Sequence, residues 1–130
     1  MATKRCLATT GDIICANYHD MYGKETVGMF LVIYDEEVDG NTDGTANVMA
    51  LKITSNIDVN CNYKVPVYNE TFDKKCCVVC SKVHTLHKKN IFKVLSKLDG
   101  HLMLRVLCMF NKYMSTINAQ IGDVYEKGNR

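Results

Sequence analysis

The chain has 130 residues, 47% hydrophobic and 23% charged, with a net charge of +2. That length suits one domain with a core of its own, here expected over 1–130 with a flexible arm at 1–10, and the composition excludes a disordered or low-complexity chain. The near balance of charge removes any bulk electrostatic case for nucleic acid, so such a case must rest on local clusters.

Beyond the arm, Gly11-Asp12 opens an apolar run at 13–18 that predicts a strand. Residues 19–26, with Gly23 and several charges, predict a loop. Residues 27–34 (VGMFLVIY) are dense in β-branched and aromatic side chains and predict a buried strand. The acidic, turn-rich stretch 35–44 (DEEVDGNTDG) predicts an exposed connection. Across 45–54, Met49, Leu51 and Ile53 alternate with Val48, Ala50, Lys52 and Thr54, the pattern of a strand with two distinct faces. After a polar stretch at 55–60, residues 61–68 predict a fourth strand with Tyr63, Val65 and Val67 on one face, placed at a sheet edge by Pro66. A turn at 73–75, an apolar strand at 76–83, a tight polar turn at 87–91 and a short strand at 92–97 follow. Leu98, Leu102, Val106, Met109, Tyr113 and Ile117 then recur at helical spacing. Asp99 is the expected N-cap and Gly122 the expected stop, for a helix from about Asp99 to Gln120. Strands followed by one helix predict a mainly β, α+β chain: a small curled sheet or barrel of five to seven strands carrying a C-terminal helix. Met49, Leu51, Ile53, Leu102, Val106 and Met109 are expected to be buried together.

Seven cysteines, an odd number, follow no signal-peptide pattern. They point to a reducing cytoplasm rather than a disulfide framework. No apolar run approaches the roughly 18 residues of a membrane span. Cys77-x-x-Cys80-x-x-x-His84-x-x-His87 has short, zinc-like spacing. In a strand, however, Cys77 and Cys80 project from opposite faces, so buried free cysteine is the better reading and no cofactor is expected. Residues 74–97 hold seven lysines and no acid. They make either a phosphate-binding surface, with Lys82, His84, Lys88 and Lys89 as its contacts, or a solvated face that guards strand edges.

Several landmarks, taken in order, resemble the PemK/MazF family of toxin–antitoxin ribonucleases. They are Gly11-Asp12-Ile13, Gly23-Lys24-Glu25-Thr26, Phe30-Leu31-Val32-Ile33, Ile53-Thr54-Ser55, Val83-His84-Thr85-Leu86 and Lys97-Leu98-Asp99. The resemblance spans about residues 10–120 and rests on the ordered set, since each piece alone is common. It implies a small SH3-like curled barrel, a homodimer, and metal-independent cleavage of single-stranded RNA by attack of a ribose 2′-hydroxyl on the adjacent phosphate. Such a family uses a Glu in its first long loop, an Arg shortly after it and a Thr at the end of its third strand. The Glu matches Glu25 and the Thr matches Thr54, with Ser55 beside it. The Arg has no counterpart: the family's "G-x-E-Q-x-G-x-R-P" becomes Gly23-Lys24-Glu25-Thr26-Val27-Gly28, followed directly by Met29-Phe30. The later "R-T" is His84-Thr85.

An arginine's planar fork suits a phosphate in a way few side chains do. The candidate substitutes are Lys52, which shares a strand face with Thr54, and Lys24, next to Glu25. His84 can act as acid or base, since its ordinary pKa lies near 6.5. Two functional classes therefore stand open. One is an RNA-targeting toxin of endoribonuclease ancestry whose site is weakened or lost. The other is a non-catalytic module of the same fold, of the kind phages and other mobile elements carry, that binds and inhibits a host or defence protein complex.

Overall fold

The structure, a computed structural model, describes residues 8–36, 47–69 and 74–128. Six strands form one antiparallel sheet: β1 (Asp12–His19), β2 (Glu25–Asp35), β3 (Asn47–Thr54), β4 (Lys64–Asn69), β5 (Lys74–His87) and β6 (Ile91–Lys97). A 3-10 turn, Lys88–Asn90, joins β5 to β6, and the helix α1 (Gly100–Gly128) ends the described chain. The hydrogen-bonded order is β4-β5-β3-β2-β1-β6, leaving β4 and β6 as edges of a sheet that does not close. Among the described residues no helix is long and apolar enough to cross a membrane.

Local chemistry sets the turns. In the β1–β2 hairpin the Asp20 carboxylate accepts from the backbone N–H of Tyr22 (2.9 Å) and of Lys24 (3.0 Å). Gly23 supplies the positive φ, +78°, that closes this turn. Gly11, at φ +94°, donates its N–H to Val32 and accepts from Leu98, both at 2.8 Å, and so ties the start of β1 to β2 and to the entry of α1. Asp99 caps α1 as expected: its Oδ1 accepts from the backbone N–H of His101 at 2.7 Å.

Both faces of the sheet carry a core, because alternation sorts each strand's apolar residues two ways. One face packs Leu31, Leu51, Ile53, Val65, Val67 and Val78 against Val106 of α1, with Leu102 and Met109 partly buried on it. The other gathers Ile14, Ala16, Phe30, Val32, Val48, Ala50, Leu86 and Ile91. Leu86 of β5 and Ile91 of β6 share that second cluster although three strands lie between them in the order, so the sheet curls around it.

The β5 strand is one continuous element read in two registers. Its first half pairs with the end of β3 (Val79 with Lys52) and its second half with the start (Val83 with Leu51), leaving 80–82 as a bulge. There the Cys80 N–H donates to the Tyr63 carbonyl at 2.8 Å, one step beyond the Lys64–Val79 pair of β4 and β5. Bulges of this kind re-aim the side chains beyond them.

The fold class expected from the sequence is the one observed, with these differences in detail. The strand before the 3-10 turn runs from Lys74 to His87 rather than over 76–83, so it takes in Lys74 and Lys75 of the expected turn and continues through His84-Thr85-Leu86. Helix α1 continues through Gly122 to Gly128, since an interior glycine costs a helix only about 1 kcal/mol. Met49 is half-buried opposite Tyr34 rather than part of the helix-side core. Most of the expected arm and most of the acidic connection lie outside the described residues. At the arm's inner end, Ala8 is fully buried and the Thr9 N–H donates to Asp12 at 2.9 Å.

Candidate active site

Lys52 has the most specific environment of the expected site residues. Its alternation in β3 aims it away from the helix-side core, where its Nζ lies 5.3 Å from the Phe30 ring centre and 5.8 Å from that of Tyr18. The ammonium donates to its neighbour's carbonyl, Ile53 O, at 3.0 Å. It fills the space beside Gly28: a Cβ there would meet Lys52 Nζ at 3.2 Å, Phe30 at 3.1 Å and Tyr18 at 2.7 Å. A side chain at residue 28 would force the Tyr18 ring to shift, so glycine suits this position. Burial lowers the pKa of Lys52, the charge of Lys82 lowers it further, and Cys15 pulls the other way.

His84 adjoins this seat. Its ring meets Phe30 and Tyr18 edge to face, at 5.1 Å and 5.4 Å between centres. Burial and then the charges of Lys52 and Lys82 hold its pKa below 6.5, which keeps the imidazole neutral at neutral pH. The bulge puts His84 here. Counting in alternation from Val79, which pairs with Lys52, would send His84 to the helix side. The extra residues 80–82 return it to the face of Lys52, paired with Ala50.

Beside His84 opens a cleft of about 300 Å³ lined by Asn17, Tyr18, Glu25, His84, His87 and Asn90, among others. Glu25 is thus brought to the same cleft as His84. It is the first residue of β2, paired with His19, rather than a loop residue. Thr54 is the last residue of β3, as expected, half-buried and one step beyond the Met29–Ile53 pair, which sets it level with Gly28. Its hydroxyl accepts from the Asn56 N–H at 3.1 Å, leaving its own proton free to donate. Ser55, Lys24, Lys82 and Lys89 are exposed.

Lys88 is the correction. Its Nζ sits 3.0 Å from Asp35, with the two side chains 1% and 3% exposed, so it braces the interior and presents no charge to a phosphate. The seven lysines of 74–97 also do not form one face. Lys74 and Lys75 pair with β4 at one edge of the sheet, while Lys93 and Lys97 pair with β1 from β6 at the other. Cys76, Val78 and Cys80 point into the helix-side core, whereas the Cys77 thiol turns toward the Ile57 carbonyl. Burial, and then Cys61, push the Cys80 thiol up to about 12, as suits a structural cysteine. Among the described residues no three His, Cys, Asp or Glu side chains are grouped to hold a metal.

Sequence reasoning passed over Tyr18, Gly28 and Phe30, which form the seat of Lys52. Gly28 carried the available signal, since an isolated glycine inside a strand pattern marks a close approach.

No curated protein sequence matches the chain. Among solved structures, an endoribonuclease in complex with its cognate antitoxin from Mycobacterial species has a TM-score of 0.64 at 13% identity, over 83% of this chain and 95% of that one. Mycobacterium tuberculosis toxin MazF-mt6 has a TM-score of 0.62 at 15% identity, over 80% and 96%. An endoribonuclease from Mycobacterial species has a TM-score of 0.63 at 12% identity, over 87% and 96%. At such identities the likeness is one of fold. The family described as PemK-like, MazF-like toxin of type II toxin-antitoxin system matches residues 9–114, from the turn before β1 to midway along α1. With the sequence pattern and the fold in agreement over most of its length, the chain belongs to that toxin family.

Proposed function

We propose that the protein is a cytoplasmic RNA-directed toxin that cleaves single-stranded RNA through a site rebuilt on Lys52 and His84, at a rate below that of arginine-bearing relatives. The observation that carries this reading is the Lys52 ammonium beside Gly28. It places a cation beside Gly28, which matches the motif's second glycine, two positions before the family's arginine.

The reaction needs one group to take the proton of the attacking 2′-hydroxyl, one to protonate the leaving 5′-oxygen, and positive charge at the phosphorane. The O2′–P bond forms and the P–O5′ bond breaks, leaving a 2′,3′-cyclic phosphate and a 5′-hydroxyl. Neutral His84 takes the first proton, and Glu25, in the same cleft, orients the imidazolium that results. Lys52 balances the charge on phosphorus, and its lowered pKa makes it the readier donor to the 5′-oxygen. Thr54 donates a hydrogen bond to a phosphate oxygen. An ammonium is a point charge without the guanidinium's fork, so the phosphate is aimed less tightly. Misplacement by about 1 Å already costs on the order of 10²-fold.

The test is incubation of purified protein with mixed single-stranded RNA in chelator. Discrete fragments ending in cyclic phosphate are expected, with rates falling by about 10²–10³ on Lys52→Ala, Thr54→Ala or Glu25→Ala. Intact RNA would exclude the nuclease, as would a growth effect untouched by all three substitutions, which points to an inhibitory binding module. The working unit we propose is a homodimer held in check by an antitoxin.

A further inference from the structure

Two lysines meet across β3 and β5, and the cleavage chemistry above uses only one of them. The second half of β5 pairs Val83 with Leu51 and His84 with Ala50. Carried back one step into the bulge, that register brings Lys82 level with Lys52, which Val79 already pairs with in the first half. Lys82 also lies two residues before His84, so alternation sends it to the face of His84 and Lys52. Its charge is accordingly felt at both groups and lowers the pKa of each. Like charges directly opposite in an antiparallel pair are destabilising. Here no carboxylate offsets them, since neither ammonium has an ion-pair partner among the described residues. Lys52 is half-buried and gives one of its three protons to the Ile53 carbonyl at 3.0 Å, while Lys82 is exposed. A cationic pair with open donors, one held against aromatic rings and one reaching into solvent, is a site for an oxyanion.

We propose that Lys82 is a second phosphate-contacting residue of the cleavage site and closes, with Lys52, a two-lysine clamp on the scissile phosphate; the inference rests on the RNA-directed reading above. An arginine reaches two phosphate oxygens with one planar fork, whereas an ammonium acts as a point charge. Two ammonium groups on neighbouring strands supply the two contacts from two side chains: Lys52 on the side of the leaving oxygen, Lys82 at a non-bridging oxygen. The bulge makes the clamp, because without the extra residues Val79 alone would stand opposite Lys52 on β5. Lys82 moves no proton in the reaction. Negative charge growing on the phosphorane draws its ammonium closer than the ground-state phosphate does, so the contact acts on the rate more than on binding.

The experiment uses the full chain, in excess over an end-labelled single-stranded RNA in chelator. Two quantities are read: the cleavage rate at saturating protein, and the Kd for the same RNA 2′-O-methylated throughout, which binds without being cut. Lys82→Ala is expected to lower the saturated rate by at least about tenfold, and Lys82→Arg to keep most of it. Because both lysines act on one phosphate, the double variant Lys52→Ala/Lys82→Ala should lose less than the product of the two single losses. The urea midpoint of Lys82→Ala should hold or rise, since a repulsion is removed. A saturated rate that Lys82→Ala leaves at the parent value, even with a weaker Kd, would overturn the clamp and leave the nuclease standing. Losses that simply multiply, or a lower urea midpoint that marks Lys82 as structural, would do the same. RNA left intact by the parent would overturn the clamp together with the nuclease.

Discussion

His84 titrates beside two ammonium groups, and that makes its behaviour predictable. Burial first, then Lys52 and Lys82, lower its pKa. Replacing Lys52 by alanine removes one of those charges, so the His84 imidazole resonances should titrate at higher pH in Lys52→Ala than in the parent. In the unmodified protein, cleavage should fall only as pH drops below 6.5, and should fall again on the alkaline side as Lys52 loses its proton below 10.5. The same shift has a sign for stability. Between the folded pKa and 6.5 the unfolded chain binds more protons, so stability rises with pH across that window and is lost as pH falls through it. Gly28 is the second handle. In Gly28→Ala the new methyl meets Tyr18 at 2.7 Å and the ring must move, so we expect a loss of about 1–3 kcal/mol in urea unfolding together with lower activity. Lys52 was legible in the sequence, because alternation placed it on the face of Thr54. Its partners were not, because Tyr18, Phe30 and His84 come from three different strands and meet it only in the curled sheet.

Among the elements, α1 and the strand edges were the most legible. Asp99 stood before a run of helical period, and Pro66 marked β4 as an edge strand. Asp99→Ala should cost about 1 kcal/mol, read from the shift of the urea midpoint. Lys88 was illegible for a definite reason. In a lysine-rich stretch each lysine reads as solvated, and the carboxylate that draws this one inside, Asp35, lies on the far side of β3 in the sheet order. Breaking the pair by Lys88→Ala should cost about 3–5 kcal/mol, since it leaves a buried carboxylate without its counter-charge. Replacing both partners by apolar residues of similar volume should restore most of that loss.

For the molecule as a whole, the two-sided sheet matters most. Residues on one face hold the helix, and those on the other hold the curl and, at its rim, the Lys52–His84 group. Alternation along β3 alone announced this division, with Leu51 and Ile53 against Val48 and Ala50. The proposed homodimer should appear in light scattering at micromolar concentration as twice the 14.7 kDa chain mass. A mass of one chain across dilution would overturn the proposed homodimer.

The bulge at 80–82 also bears on how this chain can change in length. Because the two halves of β5 take their registers from opposite ends of β3, the residues between them are a phase break. An insertion next to Ser81 is absorbed there and leaves His84 opposite Ala50. The same single insertion between Val83 and Leu86 exchanges inside and outside for the rest of the strand. Length variation among related chains is therefore expected to collect at Ser81, and alignments that force a gap a few residues later will pair His84 with the wrong neighbour.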